Sequence, residues 1–327
     1  MRSIEPVIFS SGEGRFPAEG LEVDYNRFGF NPLVYLGFLI GIPTRWIDYV
    51  IKIGADNFYT EVRIPKKGGG VRVLQVPLDP LMGIQRRILR KVLSQLEPKS
   101  SCHGFVTGRS IITNAQVHVG STHMLVLDLE SAFDQGLSSR IFRELWGERV
   151  GERRLGFLVA SLITQLCTVY SGDIGERYGF RHLPQGAPTS PALFNLACRP
   201  LDGRLDHFVW RIGGVYTRYA DNLAFSVPRQ LTPKEEHIIR KIVDGSGFRV
   251  NDAKTRLMRQ SGHSILRLPG VAINNGRIIL PKRKRKQLRA AIYLAALHGE
   301  TDRLRGLIGF VEQVYGPEVP RQIIGSH

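Results

Sequence analysis

Val215-Tyr216-Thr217-Arg218-Tyr219-Ala220-Asp221-Asn222-Leu223-Ala224-Phe225-Ser226-Val227 is the stretch on which the reading of this chain turns. Residues 215–219 and 223–227 are rich in β-branched, aromatic and apolar side chains, which predicts two short strands. The tight connection between them contains Asp221 and Asn222, residue types that suit turns. A carboxylate at the tip of an apolar hairpin is costly to desolvate unless it has a task such as holding a cation.

A second carboxylate stands at the end of His123-Met124-Leu125-Val126-Leu127-Asp128-Leu129. That continuous apolar run reads as a buried central strand. Neighbouring positions in one sheet would bring Asp128 and Asp221 together. Two carboxylates around two Mg²⁺ ions suit an in-line phosphoryl displacement. Taken singly, each aspartate reads better as an ordinary strand-end or turn residue.

The bulk properties favour a polyanionic partner. The chain has 327 residues, enough for a large core, and 43% of them are hydrophobic, so it folds. Lys and Arg number 45 against 29 Asp and Glu, a net charge of +16. No apolar run has membrane-spanning length, and MRSIEPVIFS carries no signal-peptide pattern, so nucleic acid is the expected partner and a membrane is not. Cys102, Cys167 and Cys198 are widely spaced, which points to a reducing cytoplasm with neither a disulfide framework nor a zinc knuckle.

Other segments are read from periodicity and punctuation. A short helix is expected over 44–53, and strands over 58–62 and 71–76 around Lys66-Lys67-Gly68-Gly69-Gly70. No Gly-Lys-Ser/Thr leads from this glycine run into a helix, so it is not a Walker loop. Helices are expected over 79–95, 111–118 and most of 154–170, with Ser138 or Ser139 capping one between. A proline-containing loop over 183–190 leads into a helix at Pro191. Thr232 and Glu235 form a capping box. Asn274-Asn275-Gly276 marks a second hairpin, a strongly basic helix fills 281–298, and a last helix spans about 304–315.

Three ordered motifs carry a family resemblance. Asp128-Leu129-Glu130-Ser131-Ala132-Phe133, then Leu183-Pro184-Gln185-Gly186-Ala187-Pro188-Thr189-Ser190-Pro191, then Tyr219-Ala220-Asp221-Asn222 resemble motifs A, B and C of reverse transcriptases. Upstream, Ile64-Pro65-Lys66-Lys67 with Arg72, and Gly104-Phe105 with Gly108-Arg109-Ser110-Ile111, Asn114-Ala115 and His118, are similar to the bacterial retron and group II intron-like branch. Gly247-Phe248-Arg249-Val250-Asn251 with Lys254-Thr255 resembles motif D, and 268–281 resembles the palm-to-thumb hairpin. Two departures stand out: Asn222 replaces the usual second aspartate of motif C, and Leu268-Pro269-Gly270 replaces a typical Val-Thr-Gly.

The resemblance implies a role for individual residues. Asp128 and Asp221, with the Leu129 carbonyl, would hold two Mg²⁺ ions, with Mn²⁺ as an alternative. Asn222 would stand beside them, and Lys254 would give a proton to the leaving pyrophosphate. Phe133 would be a steric gate against a ribose 2′-hydroxyl. Lys66, Lys67 and Arg72 would meet the triphosphate, and Gln185 and Gly186 would form a backbone platform under the nucleotide. Arg109, Asn114, His118, Lys282, Arg283, Lys284, Arg285, Lys286 and Arg289 would contact nucleic acid. The resemblance also implies an α+β fold, a right-hand polymerase with fingers, ferredoxin-like palm and helical thumb. Its boundaries would be 1–45 for an N-terminal segment, 46–122 for fingers, 123–280 for palm with a finger insertion about 151–190, and 281–327 for thumb. The implied activity is RNA-directed DNA polymerisation on a dedicated structured non-coding RNA, giving single-stranded DNA from dNTPs. A separate effector protein in an anti-phage system is the implied partner. The alternative is a catalytically weak or inactive RNA-binding scaffold of the same fold, motivated by Asn222.

Overall fold

The computed structural model describes residues 31–65, 69–171, 180–261, 264–298 and 302–316. They fall into two compact units. One comprises the described residues up to Pro98 with Phe133–Cys198; the other comprises Lys99–Ala132 with the described residues from Arg199 onward.

The second unit carries the 215–227 stretch. Its main sheet is antiparallel, in the order Arg256–Arg259, His123–Asp128, Asn222–Val227, Val215–Tyr219. In the sequence, helix Arg199–Arg211 lies between His123–Asp128 and Val215–Tyr219, and helix Pro233–Asp244 lies between Asn222–Val227 and Arg256–Arg259. The connectivity is therefore β-α-β-β-α-β, the ferredoxin-like arrangement. His123–Asp128 lies inside the sheet and is buried from Met124 onward, which accounts for its unbroken apolar sequence. Met124 and Val126 pack with Ala115, Ala224, Leu266, Val271 and Ile273. By strand alternation Leu125 and Leu127 face the other way, opposite Phe225 and Leu223. The capping box at Thr232 and Glu235 forms as expected.

A three-stranded sheet follows, Leu266–Leu268, Val271–Asn274 and Arg277–Ile279. Its second turn places Asn275 and Gly276 at φ 46° and 70°, the left-handed pair of a two-residue hairpin. Helices Lys282–His298 and Asp302–Tyr315 pack on each other through Leu288, Ile292, Leu307, Phe310 and Val311.

The first unit holds two more of the expected elements and three departures. Helix Thr44–Ile53 and the hairpin Tyr59–Pro65 with Val71–Pro77 form. The apolar segment before them is a helix, Pro32–Ile40, started by an Asn31 side chain that accepts from the Leu33 amide at 2.9 Å and ended by Gly41 at φ 67°. Ser138 is the first helical residue of Ser138–Leu145 and not its cap; Leu137 takes that position without a side-chain bond. The expected helix over 154–170 shortens to Phe157–Cys167, flanked by Arg149–Val150 paired with Arg153–Arg154 and by strand Val169–Ser171. Gly151, at φ 62°, turns that small hairpin, the Leu155 amide donates to the Glu148 carbonyl at 2.8 Å, and Gly156 is extended, so the helix begins only at Phe157. The expected helix 79–95 is Leu81–Lys91 followed by one 3₁₀ turn at Leu93–Gln95.

Candidate active site

The hairpin and its neighbouring strand place the two aspartates side by side. Asp128 lies directly opposite Asn222 in the ladder. The strands are joined by Ala220 and Asp221, because Asn222 already pairs with Tyr219. This corrects the expected turn: the two loop residues are Ala220 and Asp221, and Asn222 opens the second strand. Ala220 takes the left-handed conformation at φ 55°, which costs a non-glycine residue roughly 1–2 kcal/mol. The Leu129 amide donates to the Asp221 carbonyl at 2.8 Å, and the Asn251 amide donates to the Asp128 carbonyl at 2.8 Å. The backbone at both carboxylates is thus tied down from two directions.

The electrostatics of the pair follow from burial. Asp128 is almost fully buried. Desolvation raises the Asp221 carboxyl above the ordinary carboxylate range, and the Asp128 charge raises it further; Lys254 and the Asn222 amide act in the opposite direction. The Lys254 Nζ meets Asp128 Oδ1 at 2.8 Å, and Asn222 Nδ2 donates to Asp221 Oδ1 at 2.9 Å. The site therefore gathers two acids, one ammonium and one amide.

A divalent ion fits this donor set. The ammonium of Lys254 already serves as a counter-charge on Asp128, and Asp221 is held in a state that a nearby cation would relieve. Among the described residues no group of three or more His, Cys, Asp or Glu side chains converges. Two carboxylates with a backbone carbonyl suit Mg²⁺, which keeps several waters and takes phosphate oxygens from its substrate.

Sequence reasoning missed what holds the turn. Arg218 and Asp202 are both fully buried. Arg218 Nε and Nη2 donate to the two Asp202 oxygens, each at 2.8 Å, and the Tyr216 hydroxyl donates to the same carboxylate at 2.8 Å. Arg218 also donates to the Ala220 carbonyl at 3.1 Å and to Cys102 Sγ at 3.1 Å. Removing one partner of such a buried pair costs roughly 3–5 kcal/mol. The available signal was a charged residue inside an otherwise apolar strand, a combination that requires a buried partner.

Of three predicted nucleic-acid contacts, two are buried and the third is half-buried and engaged with its own loop. His118 is fully buried, its ring nitrogens 2.7 Å from Ser226 Oγ and 2.7 Å from Thr217 Oγ1. Burial lowers its pKa to about 4, with the nearby His103 adding to the effect, so it is a neutral core residue. Asn114 is also buried. Arg109 turns inward, donating to the carbonyls of Lys99 at 2.8 Å, Ser100 at 3.1 Å and Cys102 at 2.5 Å. It closes the loop that precedes helix Ile111–Gln116. Along the basic helix, Lys282, Arg283, Lys286 and Arg289 point away from the core to differing degrees, whereas Lys284 sits over the Phe310 ring at 5.6 Å and Arg285 is half-buried. A helix that must pack Leu288 inward cannot expose every neighbour.

The nucleotide-facing candidates lie in the first unit. Phe133 is half-buried and stacks on Phe194 with ring centroids 4.7 Å apart. Its carbonyl accepts from the Leu183 amide at 3.0 Å. The Gln185 carbonyl accepts from the Gln75 amide at 2.7 Å, and Gln75 Oε1 lies 2.9 Å from His182 Nε2. Gly186, at φ 126°, passes so close to strand Val71–Pro77 that a Cβ there would lie 3.0 Å from the Gln75 carbonyl oxygen. Arg72 is exposed on that strand. Lys66 and Lys67 lie outside the described residues.

A β-α-β-β-α-β sheet with one acid at a strand end and another in the adjoining turn suits the palm of a right-hand polymerase, and the fold is α+β. The chain belongs to the reverse transcriptase (RNA-dependent DNA polymerase) family, whose pattern matches residues 64–287, and it is similar to bacterial retron reverse transcriptases. It is 32% identical over 292 residues to the retron Mx162 reverse transcriptase of Myxococcus xanthus, covering 82% of this chain and 60% of the relative. It is 35% identical to the retron Mx65 reverse transcriptase of the same organism, covering 80% and 63%. The retron Ec86 reverse transcriptase of Escherichia coli is 29% identical, with 80% and 78% covered. The chain thus spans less than two thirds of the length of the two Myxococcus relatives. Among solved structures, a Candida tropicalis telomerase bound to a fragment of telomeric RNA aligns with a TM-score of 0.49 at 14% identity, covering 86% of this chain and 55% of that one. No described helix is long and apolar enough to cross a membrane.

Proposed function

We propose that this protein is an RNA-directed DNA polymerase that copies a dedicated structured RNA into single-stranded DNA from dNTPs. The observation that carries the reading is the placement of Asp128 opposite Asn222, with the Leu129 amide bound to the Asp221 carbonyl. That arrangement brings two acids together at one end of a sheet inside a reverse transcriptase family chain. Asp128, Asp221 and the Leu129 carbonyl would hold two Mg²⁺ ions, with Mn²⁺ as an alternative. Bound there, the ions supply an acidified 3′-hydroxyl and neutralise the triphosphate.

The chain's own groups do the rest of the work in this reading. Lys254 balances the Asp128 charge in the resting site and stands ready to give its proton to pyrophosphate. The Phe133 ring, fixed by its stack on Phe194, excludes a ribose 2′-hydroxyl. Arg72 with Lys66 and Lys67 meets the triphosphate, and the peptide at Gln185 and Gly186 underlies the nucleotide. Lys282, Arg283, Lys286 and Arg289 follow phosphates of the bound duplex. The retron resemblance extends the reading to a separate effector protein and a role in anti-phage defence.

Asn222 favours one competing reading, a quiet RNA-binding scaffold, because its amide occupies Asp221 Oδ1 and adds no charge. Primer extension separates the two. Protein purified with its bound RNA is given labelled dNTPs in Mg²⁺ and in Mn²⁺. Incorporation in either metal that disappears in Asp128→Ala and Asp221→Ala supports the polymerase. Wild type indistinguishable from those variants in both metals leaves the scaffold.

A further inference from the structure

We propose that Arg218 is a positioning residue for the acidic turn, and that Asp202 and the loop around Cys102 exist to aim it. The inference rests on the polymerase reading only for its kinetic readout. The guanidinium has one fork on Asp202 and another arm on the Ala220 carbonyl. That carbonyl belongs to the same peptide plane as the Asp221 amide. Fixing it fixes the direction in which the Asp221 side chain leaves the turn. The turn needs such a restraint, because Ala220 holds a left-handed φ of 55° that an alanine does not adopt unaided.

The backbone of Arg218 is clasped as firmly as its side chain. Its amide donates to the Ser101 carbonyl at 2.8 Å, and its carbonyl accepts from the His103 amide at 2.7 Å. Loop 99–104 therefore runs along the free edge of strand Val215–Tyr219. The loop ends at Gly104, where a Cβ would lie 2.3 Å from the Ala220 nitrogen, so only glycine lets the loop touch the turn. Arg109 pins that loop through three carbonyls. The order of dependence runs from Arg109 to the loop, from the loop and Asp202 to Arg218, and from Arg218 to the peptide before Asp221. Arg218 acts on the turn's backbone and not on substrate, which makes it a positioning residue and not a catalytic one.

A buried ion pair also stabilises or merely fills a core, so the test must keep the core and remove the aim. In Tyr216→Phe/Asp202→Leu/Arg218→Met an apolar trio replaces the network, and such replacements usually leave folding intact. The expected result is a folded variant whose kcat for dNTP incorporation falls roughly 10- to 100-fold, with KM for dNTP within about twofold of wild type. Hydrogen exchange at the Leu129 amide, which donates to Asp221, is expected to speed up by at least about tenfold. Unchanged kcat and unchanged Leu129 protection in the folded triple variant overturn the proposal. If the triple variant does not fold, Arg218→Lys decides: an ammonium keeps the charge on Asp202 but cannot also reach Ala220. The same kcat loss in Arg218→Lys supports the proposal, and wild-type kcat defeats it. If wild type itself incorporates no dNTP, the polymerase reading fails and Leu129 exchange alone judges the clamp.

Discussion

The hairpin of Val215–Tyr219 with Asn222–Val227 and the hairpin of Tyr59–Pro65 with Val71–Pro77 are built from similar β-branched and aromatic residues and live in opposite environments. The first lies in a four-stranded sheet, and its second strand is buried from Leu223 to Val227. The second is a two-stranded sheet whose residues are exposed over most of its length, Val62, Ile64, Val71 and Val73 included. Strand propensity is common to both; burial is not. Burial holds Asp221 of the first hairpin and Asp128 of the adjoining strand in one arrangement, at the cost of desolvating carboxylates and Arg218. Exposure leaves Arg63 and Arg72 of the second in water. A two-stranded ribbon without a covered face is marginal by itself. Its anchorage comes from the far end, where the Gln75 amide bonds to Gln185 and the Leu78 amide to Phe58.

The largest expected effect falls on a group whose burial is intermediate between these extremes. Phe133 is half-buried, and its ring is held by Phe194. Phe133→Ala is expected to lower the discrimination of dNTP against rNTP by roughly a hundredfold, since a pocket that excludes one hydroxyl by shape loses about that much when the shape goes. Competing single-nucleotide incorporation measures it. Unchanged sugar selectivity would assign Phe133 to packing alone.

Next comes the exposed hairpin. Arg72→Ala is expected to raise KM for dNTP about tenfold while kcat changes little, which corresponds to one charge-assisted hydrogen bond to phosphate. Thermal stability should stay within about 0.5 kcal/mol, because the residue is exposed. A fall in kcat with KM unchanged would break the contrast, since it would mean that this ribbon also aims groups in the transition state.

Much of the buried hairpin is legible in the sequence because its information is local. The β-branched and aromatic strands, the apolar run into Asp128 and the Asp221 turn residue each sit in a few consecutive positions. Even there, one residue of register is lost: Asn and Asp suit turns, so composition assigns Asp221 and Asn222 to the connection, yet the restraint on Ala220 comes from Arg218. The supports are illegible for a physical reason. Arg218 meets Asp202 and Cys102, residues that no spacing rule links to it. Polar residues that look alike in sequence also divide by burial, which no motif states. Of two groups expected to face nucleic acid, His118 is a neutral core residue and Arg109 binds its own loop. The small hairpin at Arg149–Val150 and Arg153–Arg154 overlaps the start of an expected helix because pairing across the Gly151 turn, and not composition, decides it.

The smallest effect tests the cost of burial directly, through pH. The Asp221 carboxyl is raised in the folded chain, first by desolvation and then by Asp128. The folded state therefore binds this proton more tightly than the unfolded chain does. Stability from this group is present at acid pH and is lost as pH rises through the folded value, so at neutral pH the ionised Asp221 weighs against the fold. Asp221→Asn removes the charge and keeps the shape. Without divalent ions at neutral pH the variant is expected to be more stable than wild type by about 1 kcal/mol, a rise of a few degrees in Tm. The gain should shrink as pH falls below the ordinary carboxylate range, where Asp221 is protonated in both states. Millimolar Mg²⁺ should shrink it too, by stabilising wild type alone. Melting curves across pH, with and without Mg²⁺, measure all three arms. Equal melting at neutral pH would mean that Lys254 and the Asn222 amide already offset the burial of Asp221, and the buried hairpin would then lose no more stability to its aspartate than the exposed one does to its arginines.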